Sequence, residues 1–265
     1  VETTRRGIAP HLSGHRVAAV HVREPRLRWP VPPALAQELP GQVIDGVTRR
    51  AKFLLLGTSV GHLILHLGMS GSLRIVRRDL PVQKHDHLDL VMDDGHCLRL
   101  HDPRRFGCAL WTKDDPFTHP LLRNLGPEPL EFDFNADWLY RQSRRRRVAV
   151  KSFLMNSHVV AGVGNIYASE ALFLAGIHPN RPSGRISLQR YQRLVMAVRE
   201  VLENAIAAGG TTLRDFVDSN GRPGYFSQKL RVYGRQDEPC DQCGGPVRNR
   251  TIGQRSTFYC PRCQR

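Results

Sequence analysis

The chain has 265 residues and a mass of 30.0 kDa, long enough for two modest domains and a small appendage, which excludes a mini-protein. Hydrophobic residues make up 40% and charged residues 24%, so a core can be buried and a disordered tail is excluded. Lys and Arg number 39 against 24 Asp and Glu, giving a net charge of +15 and a pI near 10.3; a polyanion is the expected partner, nucleic acid before an anionic membrane surface. No run approaches the ~20 apolar residues of a membrane span. The opening VETTRRGIAPHL lacks the apolar core of a secretory signal, so a cytoplasmic protein without a membrane role is expected.

Taken in chain order, a helix is expected over 2–12. From about 17 to 112 short apolar or alternating runs follow one another between Gly, Pro and Asp: RRAKFLLLG, HLILHLGMSGSLRIV, HDHLDLVMDDGHCLRL, CALWTK. Asp93-Asp94-Gly95 between two of them is a hairpin signal, and the spacing predicts an all-β sandwich or barrel. The segment LGPEPLEFDF, dense in Pro and acid, ends the strand pattern. Helical periodicity then takes over, with helices expected over 136–142, 150–156, 166–175, 187–208 and 212–216. A Gly-rich aromatic loop over 218–228 leads into the tail. The division expected is 1–128 for the β-sandwich, 129–228 for the helical domain and 229–265 for the cysteine-rich end, an α+β chain overall.

Four of the six cysteines fall in the last 26 residues, as Cys240-x-x-Cys243, sixteen intervening residues, and Cys260-x-x-Cys263. Two such knuckles offer four thiolates to one tetrahedral zinc, and a closed four-sulfur site leaves no open position for catalysis. The zinc is therefore expected to fold the hairpin PVRNRTIGQRSTFY, whose Arg248, Arg250 and Arg255 make it a basic probe for a groove. Cys97 and Cys108 stand alone in apolar runs and read as buried hydrophobes.

Three further segments can carry chemistry. GVGNIYASE, with Asn165 at a helix start, reads either as a phosphate site on free backbone N–H groups or as an ordinary Asn-capped helix; Lys151 upstream could add a cation. HLGMSG and DPRRFG set Met69, Arg104 and Phe106 beside Gly or Pro at strand ends, either as core residues or as wedges that unstack a base step. Lys52, the histidines 85 and 87 around Asp86, and the Arg144 to Arg147 run are, one by one, consistent with a solvated surface.

Together these segments resemble the formamidopyrimidine-DNA glycosylase family, over essentially the whole chain: VETTRRG, RLRWP, RRAKFLLL, HLGMSGSLR, KHDHLDL, DPRRFG, LGPEPL, VGNIYASEALF, GGTTLRDF, GYFSQ, and TFYCPRCQ. The MSG, DPRRFG and GYFSQ segments are similar to the purine-specific branch rather than to the endonuclease VIII branch. The resemblance implies a bacterial base-excision repair enzyme that removes oxidised purines such as 8-oxoguanine and cleaves the abasic strand by β,δ-elimination. It implies a β-sandwich, a helix-two-turn-helix motif and a zinc-finger hairpin, with one structural zinc per chain and a monomer acting on damaged duplex DNA.

Residue by residue, the resemblance assigns Lys52 to the phosphate beside the lesion and to β-elimination, and Arg255 to a phosphate clamp and δ-elimination. His66, His85, Arg104 and Arg146 match DNA-binding positions, Lys151 and Asn165 the phosphate contacts of the helix-two-turn-helix motif. Met69, Arg104 and Phe106 match the trio that fills the void, and Thr212, Gly224 and Tyr225 belong to the loop over the everted base. The family's nucleophile is a terminal proline amine, followed by a glutamate, a few residues ahead of the VETTRRG match. Glu2 corresponds to a later glutamate, so a form that starts at Val1 is expected to bind lesion or abasic DNA without attacking it. The rival classes are that catalytically silent DNA binder and a zinc-ribbon protein directed at RNA or a protein partner.

Overall fold

A computed structural model describes residues 1–209 and 230–265. The helix expected over 212–216 and the loop over 218–228 lie outside the described residues, as do Thr212, Gly224 and Tyr225. The described residues form two compact units, Val1–Arg123 and the described part of the chain from Asn124 onward.

The first unit opens with α1 (Glu2–Leu12), then β1 (Val17–Val22) and α2 (Pro33–Glu38). Seven strands follow: β2 (Gly46–Arg50), β3 (Phe53–Thr58), β4 (Gly61–His66), β5 (Ser72–Arg77), β6 (Asp86–Met92), β7 (His96–His101) and β8 (Cys108–Thr112). With β1 they make two four-stranded antiparallel sheets, in the orders β1-β6-β7-β5 and β2-β3-β4-β8. Alternation explains the layering: Leu88, Leu90 and Met92 of β6 and Leu98 and Leu100 of β7 enter one core with Leu54, Leu56, Leu63 and Leu65 of the other sheet and Ile8 and Leu12 of α1. The residues between them point the other way. There Asp89 takes Nε and Nη2 of the buried Arg99 at 2.9 Å each, and Arg99 Nη1 donates to the carbonyls of Leu80 and Pro81. A buried guanidinium with its donors satisfied in this way pins the β5–β6 loop.

The sequence reading passes over α2, because WPVPPALAQELP presents its prolines as breakers. They act instead at the helix start, with Pro32 at the N-cap and Pro33 at the first helical position, where φ is already helical and no N–H is missed.

The second unit contains α3 (Ala136–Ser143), α4 (Val150–Leu154), α5 (Asn165–Leu174) and α6 (Leu188–Ala207). Asn135 caps α3 through Trp138 N–H at 2.9 Å, and Ser187 caps α6 through Arg190 N–H at 3.4 Å. Helix α4 stops two residues before the expected end, where Asn156 turns its side chain onto His158 N–H at 3.0 Å. Phe134, Phe153, Leu172, Tyr191, Leu194 and Val198 form the helical core. The hairpin of β9 (Arg248–Ile252) and β10 (Arg255–Tyr259) packs with Phe173 of α5 through Val232, Val247 and Cys260.

Candidate nucleic-acid interface

In the first unit, HLGMSG leaves the end of β4 and DPRRFG enters β8, and these strands are neighbours with His66 opposite Cys108. The two loops therefore start side by side, and their glycines let the backbones touch. Gly68 has φ +62°, and a Cβ there would lie 2.6 Å from the carbonyl carbon of Phe106; one on Gly107 would lie 2.5 Å from His66 O. The fully buried Asp102 accepts Gly107 N–H at 2.8 Å and closes the second loop. With no room inward, the bulky side chains go outward: Met69 is 69% exposed and Phe106 42%. The Arg104 guanidinium lies 4.6 Å over the Phe106 ring. The core reading of Met69 and Phe106 is thereby overturned.

The same edge carries the neighbouring polar groups. The His66 ring packs at a tilt against Phe53, centroids 4.8 Å apart, and its Nδ1 accepts Gly68 N–H at 2.9 Å, which leaves Nε2 as the protonated nitrogen. Burial, and then the charges of Lys52 and Arg28, push its pKa down to about 4, so the ring is a neutral donor at pH 7. Lys52 is exposed on the β2–β3 turn, after Ala51 at φ +52°. His85 occupies φ +77° next to Asp86, whose carboxylate accepts Gln83 N–H at 2.9 Å, Arg74 Nη2 at 2.6 Å and faces His101 Nδ1 at 2.9 Å. The His85 carbonyl accepts Asp102 N–H at 3.0 Å. That bond joins the turn bearing His85 to the loop bearing Arg104. His87, by contrast, is buried with Nε2 on the Asp102 carbonyl at 2.9 Å.

In the second unit the two residues matched to phosphate contacts meet the zinc hairpin. Lys151 is 1% exposed, and its Nζ donates to Ser256 O at 2.9 Å and Thr257 Oγ1 at 2.7 Å. Asn165 is not a cap. Gly164 is the N-cap of α5 without a side-chain bond, while Asn165 Nδ2 donates to the same Ser256 carbonyl at 3.1 Å and to Tyr233 OH at 3.4 Å. The residue next to Ser256 is Arg255, which is exposed at the start of β10.

The hairpin turn itself is Gly253-Gln254, at φ +56° and +60°, the two positive values a tight right-twisting hairpin requires. A Cβ on Gly253 would meet Ser152 Oγ at 2.7 Å, so the tip rests on α4. The residues flanking Arg255 are thus held on both sides, Gly253 against Ser152 of α4 and Ser256 by Lys151 and Asn165. Burial, and then the Arg255 charge, bring Lys151 down to about 8. Arg146 is exposed on the turn after α3, its guanidinium 5.6 Å over the Phe153 ring.

The four cysteines bring their sulfurs within 4.8 Å of one another, with Cys240 to Cys263 at 3.9 Å and Cys243 to Cys260 at 3.5 Å. Four sulfurs about 2.3 Å from one tetrahedral zinc stand about 3.8 Å apart, so the donor set fits. Burial and neighbouring thiols push Cys260 and Cys263 up, while hydrogen bonds from Gly245 N–H and Cys260 bring Cys243 down to about 7. Four thiolates crowded this closely need a dication to ionise together. The site holds one structural zinc. Cys97 and Cys108 are buried, and burial pushes both thiols up to about 12, where they are inert.

Sequence reasoning missed Glu170. Buried on α5, its carboxylate accepts three consecutive backbone N–H groups, Arg231 at 2.8 Å, Val232 at 3.0 Å and Tyr233 at 2.9 Å. Tyr233 in turn packs on Phe258 of β10 at 5.0 Å. A carboxylate in the apolar run IYASEALFL was the available signal, since an unpartnered charge does not stay in such a place.

Comparison with known proteins follows the same partition. Residues 1–109 match the formamidopyrimidine-DNA glycosylase N-terminal domain, 125–217 the formamidopyrimidine-DNA glycosylase H2TH domain, and 237–265 the zinc finger found in FPG and IleRS. The chain is 61% identical to a formamidopyrimidine-DNA glycosylase of Thioalkalivibrio sulfidiphilus and 60% to one of Methylococcus capsulatus, each match spanning 100% of this chain and 98% of the relative. Among solved structures, the MutM (FPG) protein of Thermus thermophilus superposes with a TM-score of 0.89 at 38% identity, covering 100% of this chain and 97% of that one. The Lactococcus lactis enzyme bound to DNA containing an AP site gives 0.90 at 31% identity, again covering 100% and 97%.

Proposed function

Since the chain belongs to the formamidopyrimidine-DNA glycosylase family and is thereby a DNA glycosylase of base-excision repair, we propose a division of labour among its residues for the removal of oxidised purines from duplex DNA. The observation that carries it is the outward placement of Met69, Arg104 and Phe106 on two loops bolted together by glycines. An enzyme that acts on a base must evert it, and the stack it leaves must be refilled. A thioether and an aromatic ring supply apolar surface for that void, and Arg104, held over Phe106, supplies donors for the orphaned partner base.

Lys52, the neutral His66 and His85 on the same edge are assigned to the lesion strand, with Lys52 at the phosphate and in β-elimination. Arg255, braced by Lys151 and Asn165, is assigned to the phosphate clamp and δ-elimination, and Arg146 to a further phosphate. The attack on C1′ belongs to the terminal proline amine that the family places ahead of the VETTRRG stretch. An α-amine with a pKa near ~8 keeps a neutral fraction at pH 7 that a lysine near ~10.4 does not. The resulting Schiff base acidifies C2′ and opens the strand to the lyase steps. We assign 1–128 to the catalytic sandwich, 129–228 to the helical DNA-binding domain and 229–265 to the zinc finger. No helix among the described residues is long and apolar enough to cross a membrane, and a chromosomal substrate supports a cytoplasmic location for a monomer acting on damaged duplex.

Two measurements test the DNA-contact assignments. Binding to a duplex with an abasic-site analogue is expected to weaken steeply with salt, each neutralised phosphate contributing roughly −0.9 to the slope of log K against log salt. Arg255→Ala should flatten that slope by about one unit; an unchanged slope removes Arg255 from the contacts.

The second concerns Lys151, whose pKa of about 8 lies below the ordinary 10.5. Its ammonium is intact below pH 8 and lost above it, so duplex affinity should decline from pH 7 to pH 9 more steeply in the wild type than in Lys151→Met. Equal declines in the two proteins would show that Lys151 adds no charge to the interface.

A further inference from the structure

From the cluster at the end of the first sheet where β7 begins, we propose a second metal site, for a divalent first-row transition cation, built by His15, Asp93 and Asp94, with His96 at its border. Three chain segments converge there: the loop after α1, the β6–β7 turn, and the first residue of β7. His15 Nδ1 lies 3.2 Å from Asp93 Oδ1 and 3.7 Å from Asp94 Oδ2, and His96 Nδ1 lies 2.8 Å from that same Asp94 Oδ2. The ligand atoms of His15, Asp93 and Asp94 all lie within 4.8 Å of one another. Two donors bound at about 2.1 Å on one cation stand about 3.0 Å apart at right angles and further apart at wider angles, a range that takes in the His15–Asp93 and His15–Asp94 spacings.

The carboxylates are held in register for this. Asp93 Oδ2 accepts Arg16 N–H at 3.2 Å and Asp94 Oδ1 accepts His96 N–H at 2.9 Å, so each acid has one oxygen fixed by backbone and the other turned toward the imidazoles. Asp93 N–H returns to Arg16 O at 2.9 Å, and Gly95 at φ +85° closes the turn. The ring of His11 lies 6.0 Å from that of His96 and adds a third imidazole at the border. Beside the cluster an open cavity of about 590 Å³, lined by Asp93, Asp94, Gly95, His96, Arg78 and the Arg77–Asp79 pair, leaves space for water ligands.

Imidazole with carboxylate selects a transition ion over Mg²⁺ or Ca²⁺, and the absence of thiolate separates this site from the four-cysteine zinc. It also lies away from the DNA-contact loops within its own unit. β7 runs from His96 to His101, and the loop of Arg104 and Phe106 follows its other end.

The test is a Ni²⁺ titration of the tag-free, zinc-loaded chain by calorimetry, with native mass spectrometry for stoichiometry. One Ni²⁺ is expected in addition to one zinc. His15→Ala and Asp94→Asn should each lower its affinity at least tenfold while thermal midpoint and zinc content stay nearly unchanged, as these side chains are partly exposed outside the core. Absence of a second metal would overturn the proposal, leaving ion pairs alone. Affinity retained in the His15→Ala/Asp94→Asn double variant would overturn it equally, by placing the nickel on other histidines such as His85 and His101.

Discussion

Cys240→Ser is expected to abolish binding to lesion-containing duplex, a loss of at least a hundredfold, while the β-sandwich unit keeps its fold. Removing one sulfur from the four deprives the hairpin of the metal that supplies its folding energy. The consequence spreads because the hairpin is both product and support. Cys240 and Cys260 are buried with Val232, Val247 and Phe173, and Ser256 is the common acceptor of Lys151 and Asn165. When β10 loosens, Lys151 is left as an ammonium in an apolar site with its acceptors gone, and Arg255 loses its bracing. The measurement is a binding isotherm on an abasic-analogue duplex beside zinc analysis of the variant. Wild-type affinity in protein that carries no stoichiometric zinc would contradict this.

Met69→Ala combined with Phe106→Ala should slow base excision by at least tenfold in single turnover while leaving thermal stability nearly unchanged. Side chains this exposed contribute within about 0.5 kcal/mol to folding, whereas buried ones would cost ~2–5 kcal/mol each. Unstacking a base costs a few kcal/mol, which the wedge offsets when it takes the vacated place. Affinity for undamaged duplex, governed by phosphates, should hold. Destabilisation matching the loss of rate would return both residues to a structural role.

Much of this was legible before any coordinate. The two CxxC knuckles specify their site by spacing alone, and Asp93-Asp94-Gly95 fixes the β6–β7 hairpin because its backbone demands are local. The glycines of HLGMSG and DPRRFG were visible, but not their purpose, since the backbone contact between Gly68 and Phe106 joins residues 38 positions apart. Lys151 shows the same limit: its acceptors lie 105 and 106 residues downstream, so the sequence offers a cation and conceals its burial. Asn165 at a helix start reads locally as a cap or a phosphate ligand, and only the hairpin's arrival draws its amide away from the helix. Glu170 binds backbone groups more than 60 residues on, and backbone leaves no mark in sequence.

The most direct test is single-turnover incubation of the full-length protein, with the family's Pro-Glu start in place, on duplex carrying one formamidopyrimidine lesion opposite cytosine, with borohydride added to trap the Schiff base. The result predicted is release of the damaged base, strand scission at that position and a covalent adduct on the terminal amine, none of which occurs on undamaged duplex. Tight binding of the lesion duplex with no base release and no adduct would contradict the assignment and leave a protein that recognises damaged DNA without repairing it.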